Sequence, residues 1–190
     1  YYGVPQDKIQ IILNPFFTKE KSLPMHEEFK FLFAGRFIKY KNLKFLIEAF
    51  SDVRKKTGKG KLRLIGDGPD IPDISDGVEV EPRVSHDQLL EEIRSASVCV
   101  APALTEFNPN FVLECLSLGK PSLISRENGL SVKLPEEFLF DSKNKKELEE
   151  KLAAFFDEDF YKKSLEKINS IKISQTWENV INEHLKIFGI

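Results

Sequence analysis

The chain has 190 residues and a mass of 21.8 kDa, enough for one substantial domain or for a domain with an appendage. Apolar residues make up 41% and charged residues 31%, a balance that excludes an intrinsically disordered protein. The 28 basic and 30 acidic residues give a formal charge of −2, which argues against a general nucleic-acid-binding or anionic-membrane-binding surface.

Membrane spans, disulfides and metal sites are also disfavoured. The longest uninterrupted apolar run, Val98 to Leu104, is far shorter than the roughly 20 residues of a membrane-spanning helix. Cys99 and Cys115 lie in apolar segments without metal-ligand spacing, so we expect neither a disulfide framework nor a zinc site, and a reducing compartment. The first residue is Tyr1 rather than methionine, and we expect a piece of a longer protein.

Short β-prone runs alternate with helical patterns along most of the chain. Strands are predicted over 29–34, 61–65, 78–80, 97–101, 121–125 and 138–140. Helices are predicted over 42–56, 86–96, 109–118, 145–156, 159–168 and 177–188. An apolar patch over 4–14 and a charged, linker-like stretch over 18–28 precede them.

This alternation predicts an α/β protein with a Rossmann-like open parallel sheet and helices on both faces. The sheet would occupy residues 29–140, within a domain over 29–157. A C-terminal helical tail over 158–190 is expected to pack across it, because its apolar residues recur at helical spacing. Ligands of such sheets bind at the carboxyl ends of the strands, which directs attention to the loops that follow them.

The loop after the first strand reads Gly35-Arg36-Phe37 and is followed by Lys41 at the start of a helix. A glycine permits close backbone approach, and two cations beside a helix N-terminus suit an anion such as a diphosphate. Two solvated surface cations would explain the same residues, and the spacing alone leaves both interpretations open.

The loop after the second strand, Gly66-Asp67-Gly68-Pro69, has the composition of a tight turn. It does not open a helix with the spacing of a dinucleotide-binding fingerprint. A structural turn is therefore the favoured interpretation.

The segment before the third predicted helix carries the next candidate residues. Asn108 and Pro109 form a good N-cap and N1 pair, so we expect the helix to begin there. The amides of Asn110, Phe111 and Val112 would then be free to point at a ligand.

Two carboxylates, Glu106 and Glu114, flank this helix start. Glu114 lies off the apolar stripe of the helix, so it is expected to face the ligand edge of the sheet. Paired carboxylates can accept hydrogen bonds from the vicinal hydroxyl groups of a polyol. A glutamate that favours the helix dipole and a second surface glutamate would account for the pattern equally well. The histidines His26, His86 and His184 show no pairing with a nucleophile or a carboxylate, and none is predicted to be catalytic.

The motifs occur in a fixed order, and together they resemble a known family. The order is Gly35-Arg36-Phe37 with Lys41, Gly66-Asp67-Gly68-Pro69, Val84-Ser85-His86, and Glu106 with Glu114. This set resembles the C-terminal, donor-binding domain of group 1 (family 4-like) retaining glycosyltransferases, which have the two-domain GT-B fold. The stretch EFNPNFVLE over 106–114, followed by Gly119-Lys120-Pro121, is similar to the family's E-G-x-P-N-x-x-L-E … G-x-P signature. Residues 3–9 with Asn14 resemble the link from the family's N-terminal domain, and Trp177 resembles an aromatic of its closing helix.

The resemblance implies a role for each matching position. The residues carried over are Gly35, Arg36, Lys41, Arg83, Val84, Glu106, Asn108, Pro109, Asn110, Phe111, Val112 and Glu114. Arg36 and Lys41, next to Gly35, would hold the nucleotide diphosphate, and Glu114 would accept the ribose hydroxyls. Glu106 would be the catalytic carboxylate.

The remaining positions would surround the rest of the donor. Together with Glu106, the loop from Asn108 to Phe111, which includes Pro109 and Asn110, would contact the donor sugar. The amides of Phe111 and Val112 would cap the distal phosphate. The backbone around Arg83 and Val84 would meet the base.

The function implied is the donor half of an enzyme that moves a sugar from a nucleotide diphosphate to a glycan or lipid-linked acceptor, in polysaccharide or glycolipid synthesis. The resemblance implies no metal, no cofactor besides the donor substrate and no nucleic-acid partner. The acceptor would bind a further N-terminal domain joined through residues 1–28, so the 190 residues alone would be inactive. We expect the full protein in the cytoplasm, in peripheral contact with the inner face of the membrane. The alternative is a non-catalytic nucleotide-sugar-binding module completed by a partner chain, and a related nucleotide-sugar epimerase is a third, less favoured interpretation.

Overall fold

The structure is a computed structural model that describes residues 3–10, 12, 14–15, 28–70, 73–171 and 175–190. Most of the predicted linker over 18–28, and the apolar pair Phe16-Phe17, lie outside the described residues. Within the described part of the N-terminal segment, Gln6–Lys8 form a single 3-10 turn.

Six strands and six α-helices follow one another in the order that the sequence predicts. The strands are β1 (Lys30–Ala34), β2 (Lys61–Ile65), β3 (Val78–Glu81), β4 (Val98–Ala101), β5 (Ser122–Ser125) and β6 (Leu139–Phe140). The α-helices of the described residues are α1 (Leu43–Thr57), α2 (His86–Ser95), α3 (Asn110–Ser117), α4 (Lys145–Ala154), α5 (Glu158–Ser170) and α6 (Trp177–Phe188). Every predicted element is present, with its bounds within two residues of the prediction.

The strands form one sheet in the order β3-β2-β1-β4-β5-β6, and every pairing is parallel. Phe31 of the central strand lies opposite Leu62 on one side and Val98 on the other. This confirms the predicted Rossmann-like parallel sheet. After β3 the chain crosses back through α2 to β4, which pairs with the other side of β1, so the loops after β1 and β4 diverge at a topological switch point.

Both faces of the sheet are covered by helices. On one face, Phe31 and Leu64 pack in a core cluster with Phe50 of α1 and Leu152 of α4. On the other face, a second set of buried residues joins β1, β2 and β4 to α2 and α3: Leu32, Ala34, Ile65, Leu90, Ile93, Ala96, Cys99, Cys115 and Leu118. Burial of both faces explains why the strands are continuous apolar runs rather than alternating ones.

The helical tail differs from the expectation in its last helix. The predicted stripe of α4, with Leu148 and Leu152, is buried, and Ile168 of α5 also reaches the core. In α6 only Val180 is buried among the described residues, whereas Ile181 is 53% and Phe188 72% exposed. The prediction that the whole tail packs across the sheet is therefore wrong for α6. Helices α1, α4 and α5 all contribute buried residues to the core cluster on that face of the sheet, and no described residue of α6 belongs to it.

Cys99 and Cys115 are free thiols, and both are buried. Cys115 lies in the core against Cys99, and burial raises the pKa of its thiol well above the ordinary value. Lys120 is also fully buried, and its Nζ donates a hydrogen bond of 2.6 Å to the carbonyl oxygen of Arg94 near the end of α2. Burial lowers the pKa of Lys120, because the protein interior disfavours the ammonium form.

Candidate functional site

A cavity of about 440 Å³ opens at the carboxyl edge of the sheet, where the loops after β1, β2 and β3 meet the first turns of α2 and α3. Its lining residues are Ala34, Gly35, Arg36, Ile65, Gly66, Asp67, Arg83, Val84, His86, Leu89, Asn110, Phe111 and Glu114. Its position is the one that ligands of open parallel sheets occupy.

The loops after β1 and β2 are joined through their backbones. The amide of Gly35 donates to the carbonyl oxygen of Ile65 at 3.0 Å, and the amide of Phe37 donates to that of Asp67 at 2.6 Å. A Cβ at position 66 would lie 1.9 Å from the carbonyl oxygen of Gly35, and one at position 68 would lie 2.2 Å from that of Phe37. Only glycine fits at these two positions, so the motif that the sequence marks as a turn also shapes the floor of the cavity.

Two arginines supply positive charge to the cavity. Arg36 follows β1 and Arg83 follows β3, and both residues are exposed. Neither forms an ion pair with a carboxylate of the described residues. Their guanidinium groups are therefore available to an anionic ligand.

The start of α3 differs in detail from the prediction. The helix begins at Asn110 with Pro109 as its N-cap residue, and Leu113 donates the first helical hydrogen bond to the carbonyl oxygen of Pro109. Asn108 makes no capping hydrogen bond, and its side-chain amide is buried without a partner among the described residues. The predicted N-cap role of Asn108 is wrong, because the helix begins one residue later than predicted and Pro109 takes the N-cap position. The amides of Asn110, Phe111 and Val112 still precede the first helical bond, as predicted.

The N-terminal segment reaches this helix start. Nδ2 of Asn14 donates a hydrogen bond of 2.9 Å to Oδ1 of Asn110, which lines the cavity, and lies 3.4 Å from the carbonyl oxygen of Asn108. A residue from the segment that resembles an interdomain link thus contacts the edge of the candidate site.

The predicted position of Glu114 off the core stripe of α3 is confirmed. Val112 and Cys115 are buried, whereas the Glu114 side chain is 22% exposed and lines the cavity. Its Oε1 lies 3.0 Å from Nε2 of His86, the first residue of α2. The expectation that no histidine pairs with a carboxylate is therefore wrong: the two residues are 28 positions apart, and only the packing of α2 beside α3 brings them together.

Lys41 and Glu106 lie outside the cavity lining and pair with each other. The Lys41 ammonium donates a hydrogen bond to Oε2 of Glu106, and the two side chains are 19% and 20% exposed. The sequence pattern predicts that Lys41 converges with Arg36 on an anion, but in this structure its charge is neutralised by Glu106.

Glu106 is held by the loop after β5. Its carbonyl oxygen accepts a hydrogen bond of 2.8 Å from the amide of Gly129, and it forms a parallel bridge with Asn128. The same loop is tied to α4, because the Arg126 guanidinium bonds both Glu136 and Glu147. Hydrogen bonding to Arg126 lowers the pKa of the Glu147 carboxyl despite its partial burial.

The predicted site residues thus divide into two groups. Those that line the cavity are Gly35, Arg36, Arg83, Val84, Asn110, Phe111 and Glu114. Those that do not are Lys41, Glu106, Asn108, Pro109 and Val112. Asp67, His86 and Leu89 also line the cavity, and the sequence does not predict them as site residues. Asp67 lies in the Gly66-Pro69 turn and His86 in the Val84-Ser85-His86 motif, so two of the three belong to motifs that resemble those of the family.

The part of the chain that the structure describes contains neither a metal-binding cluster nor a membrane-spanning helix. No group of three or more His, Cys, Asp or Glu side chains there could hold a metal ion. None of the described helices is long and apolar enough to cross a membrane.

Comparison with known proteins identifies the family. The model of the family described as glycosyl transferases group 1 matches residues 28–158. This chain belongs to the group 1 glycosyltransferases. A curated relative, the lipopolysaccharide 1,6-galactosyltransferase of Salmonella typhimurium strain LT2, is 26% identical over 137 residues. That match covers 65% of this chain but only 38% of the relative.

Solved glycosyltransferase structures share the fold of this group 1 domain. The apo form of the lipopolysaccharide outer core galactosyltransferase WaaB superposes with a TM-score of 0.73 at 19% identity, covering 98% of this chain and 57% of WaaB. The catalytic domain of the Helicobacter pylori cholesterol-alpha-glucosyltransferase superposes with a TM-score of 0.64 at 23% identity, covering 82% of this chain and 98% of that one. The chain thus has the Rossmann-like fold of one domain of a GT-B glycosyltransferase, as the ordered motifs imply.

Proposed function

We propose that the chain is the nucleotide-sugar donor-binding domain of a retaining glycosyltransferase. The observation that carries the proposal is the cavity in which a carboxylate, Glu114, faces two arginines that lack carboxylate partners among the described residues, Arg36 and Arg83. A nucleoside diphosphate combines the matching groups, since its ribose offers two vicinal O–H donors and its phosphates offer negative charge.

Within this proposal each side of the cavity takes one part of the donor. Arg36 and the amides of Phe111 and Val112 bind the diphosphate, because a guanidinium fork and a helix N-terminus both favour phosphate oxygens. Glu114 accepts hydrogen bonds from the ribose hydroxyls. The loop at Arg83 meets the base.

The sugar end of the donor lies toward Glu106 in the proposal. The Lys41 ammonium is already paired with Glu106. In the proposal it therefore contacts the diphosphate only if it breaks that ion pair or bonds the phosphate and the carboxylate at the same time. Breaking the ion pair would also free a carboxylate oxygen of Glu106 for a sugar hydroxyl. Retention of the anomeric configuration is proposed from the motif resemblance.

The relatives support the chemical class of the substrates. The curated relative is a galactosyltransferase that acts on lipopolysaccharide. The fold is similar to that of Staphylococcus aureus TarM, with a TM-score of 0.73 at 15% identity over 93% of this chain, and the TarM structure was determined with UDP. We therefore propose a hexose donor and a glycan acceptor of the cell surface, and cytoplasmic action at the membrane face stays part of this proposal.

The test is titration calorimetry of the 190-residue chain with UDP, GDP, ADP and TDP. We expect one of them to bind, and Glu114→Gln to weaken that binding by about tenfold or more, since it removes a charged acceptor. Glu150→Gln, which alters an exposed carboxylate on α4, is the matched control and should leave binding unchanged. Lack of binding to all four nucleotides would refute the proposal.

Binding without turnover is the expected behaviour of these residues alone. The chain spans 38% of the length of its curated relative and 57% of WaaB, so a full enzyme of this kind is much longer. Sugar transfer needs an acceptor hydroxyl held beside the anomeric carbon, and such positioning supplies several kcal/mol of barrier lowering. Transfer of sugar to an added acceptor by the 190-residue chain would show that the acceptor site lies within these residues.

A further inference from the structure

We propose that His86 is a positioning residue that holds Glu114 in the orientation that binds a ribose diol. The inference rests on the proposed nucleotide binding and adds to it a residue from a different helix. It begins from one contact, the 3.0 Å separation between Nε2 of His86 and Oε1 of Glu114 at the wall of the cavity.

The chemistry of the two groups determines the direction of the hydrogen bond. An ionised carboxylate has no hydrogen to donate, so Nε2 of His86 carries the hydrogen, either as the neutral Nε2–H tautomer or as imidazolium. A carboxylate offers about four lone-pair positions on its two oxygens. With Oε1 bonded to His86, the remaining positions of Glu114 are available to two ligand hydroxyls.

His86 is itself held in place by the start of α2. Ser85 is the N-cap residue, its Oγ accepts from the amide of Gln88 at 3.3 Å, and Oε1 of Gln88 accepts from the amide of Ser85 at 3.0 Å. This capping box fixes the first turn of the helix. Further along α2, Leu90 and Ile93 are buried in the core, so the helix is anchored to the sheet.

A glutamate at this place needs such support. Its side chain has three rotatable bonds, and ordering it on ligand binding costs conformational entropy. The His86 hydrogen bond confines the carboxylate before the ligand arrives, which raises affinity through preorganisation. His86 is 65% exposed against 22% for Glu114, so the histidine contacts the glutamate from the more solvent-exposed side of the cavity wall.

The experiment compares ribonucleotides with their 2′-deoxy counterparts, because only the former offer the complete diol. UDP and 2′-deoxy-UDP, GDP and 2′-deoxy-GDP, and ADP and 2′-deoxy-ADP are titrated into wild type, His86→Ala, His86→Gln and Glu114→Gln. In His86→Ala we expect affinity for the ribonucleotide to fall about fivefold and affinity for the deoxynucleotide to change less than about twofold. His86→Gln should restore the discrimination, since its amide N–H can reach the same oxygen. In the Glu114→Gln background, His86→Ala should have no further effect.

The controls separate positioning from folding and from the proposed function. His184→Ala removes a histidine of α6, whose Nδ1 lies 2.7 Å from the carbonyl oxygen of Val180 in its own helix, and should leave discrimination unchanged. Unchanged discrimination in His86→Ala, or an equal loss for both nucleotides of a pair, would overturn the inference while nucleotide binding by wild type stands. If His86→Ala unfolds at the assay temperature, His86→Met takes its place, because methionine fills similar space and has no side-chain N–H to donate. Loss of discrimination in that folded variant supports the inference, and unchanged discrimination overturns it. If wild type binds none of UDP, GDP, ADP and TDP, the proposed function fails and the inference fails with it. Binding of TDP alone, whose deoxyribose has no vicinal diol, would leave the proposed function standing and overturn the inference.

Discussion

The ammonium group of Lys41 donates a hydrogen bond to Oε2 of Glu106, and both side chains are about one-fifth exposed. The two residues lie on loops after different strands, and the amide of Leu104 bonds the carbonyl oxygen of Tyr40 beside them at 2.7 Å. The ion pair therefore links the loop after β1 to the loop after β4 at the rim of the candidate site.

We expect this pair to contribute measurably to stability. Lys41→Met and Glu106→Gln should each lower the free energy of unfolding by about 1–2 kcal/mol, because each leaves a half-buried charge without its partner. The double variant should lose less than the sum, with a coupling of about 1 kcal/mol. Urea denaturation of the four proteins measures this. The well-exposed pair of Lys162 and Glu158 on α5 is the matched control and should show a much weaker coupling; equal coupling in both pairs would contradict the expectation.

Arg36 should bind phosphate through the shape of its guanidinium group as well as through its charge. Arg36→Lys keeps the charge but loses the planar fork, and we expect it to weaken nucleoside diphosphate binding about tenfold. Arg36→Met should weaken it further. Stability should barely change, because Arg36 is exposed. Calorimetry gives both affinities, and Lys59→Met, at the opposite edge of the sheet, is the control. Wild-type affinity in Arg36→Lys would mean that charge alone matters there.

Gly66 should tolerate no side chain. In Gly66→Ala the new Cβ would meet the carbonyl oxygen of Gly35 at 1.9 Å, so the two loops must separate. We expect a loss of more than about 2 kcal/mol in stability, together with loss of nucleotide binding. Gly58→Ala is the control: its φ is also positive, at +68°, but no atom lies within 4 Å of the new Cβ, so only about 1 kcal/mol of backbone strain is expected. Equal thermal unfolding temperatures for Gly66→Ala and Gly58→Ala would contradict the close approach of residue 66 to the carbonyl oxygen of Gly35.

Lys120 should make stability depend on alkaline pH. Burial lowers its pKa in the folded protein, so between that pKa and 10.5 the unfolded chain binds more protons, and this residue's contribution to stability rises with pH. Cys115 contributes with the opposite sign, since burial raises the pKa of its thiol. Subtracting Lys120→Met from wild type isolates the lysine. We expect the free energy of unfolding of wild type, minus that of Lys120→Met, to increase as the pH rises from 7 to 10. Urea denaturation at each pH measures both values. A difference independent of pH would mean that Lys120 titrates normally.

The fold follows from local patterns that can be read one segment at a time. The apolar run at Phe31 to Phe33 and the helical spacing of Leu46 and Phe50 depend only on neighbouring residues, and both predict the element that is found. The succession of short strands and helices then leaves few topologies, because crossover connections between parallel strands are right-handed. The same reasoning places the loop residue Arg36 and the helix residue Glu114 at one edge of the sheet.

The pairing of side chains between loops could not be predicted in this way. The sequence by itself determined the order of strands and helices along the chain, the ligand edge and the face of α3 on which Glu114 lies, because these depend on local apolar runs and on the helical period of 3.6 residues. The tertiary structure alone decided that Glu114 meets His86 and that Lys41 meets Glu106, because each pair joins separate elements 28 and 65 residues apart. Such contacts depend on how far two helices or loops approach each other, a distance of a few ångströms set by core packing that no local pattern encodes.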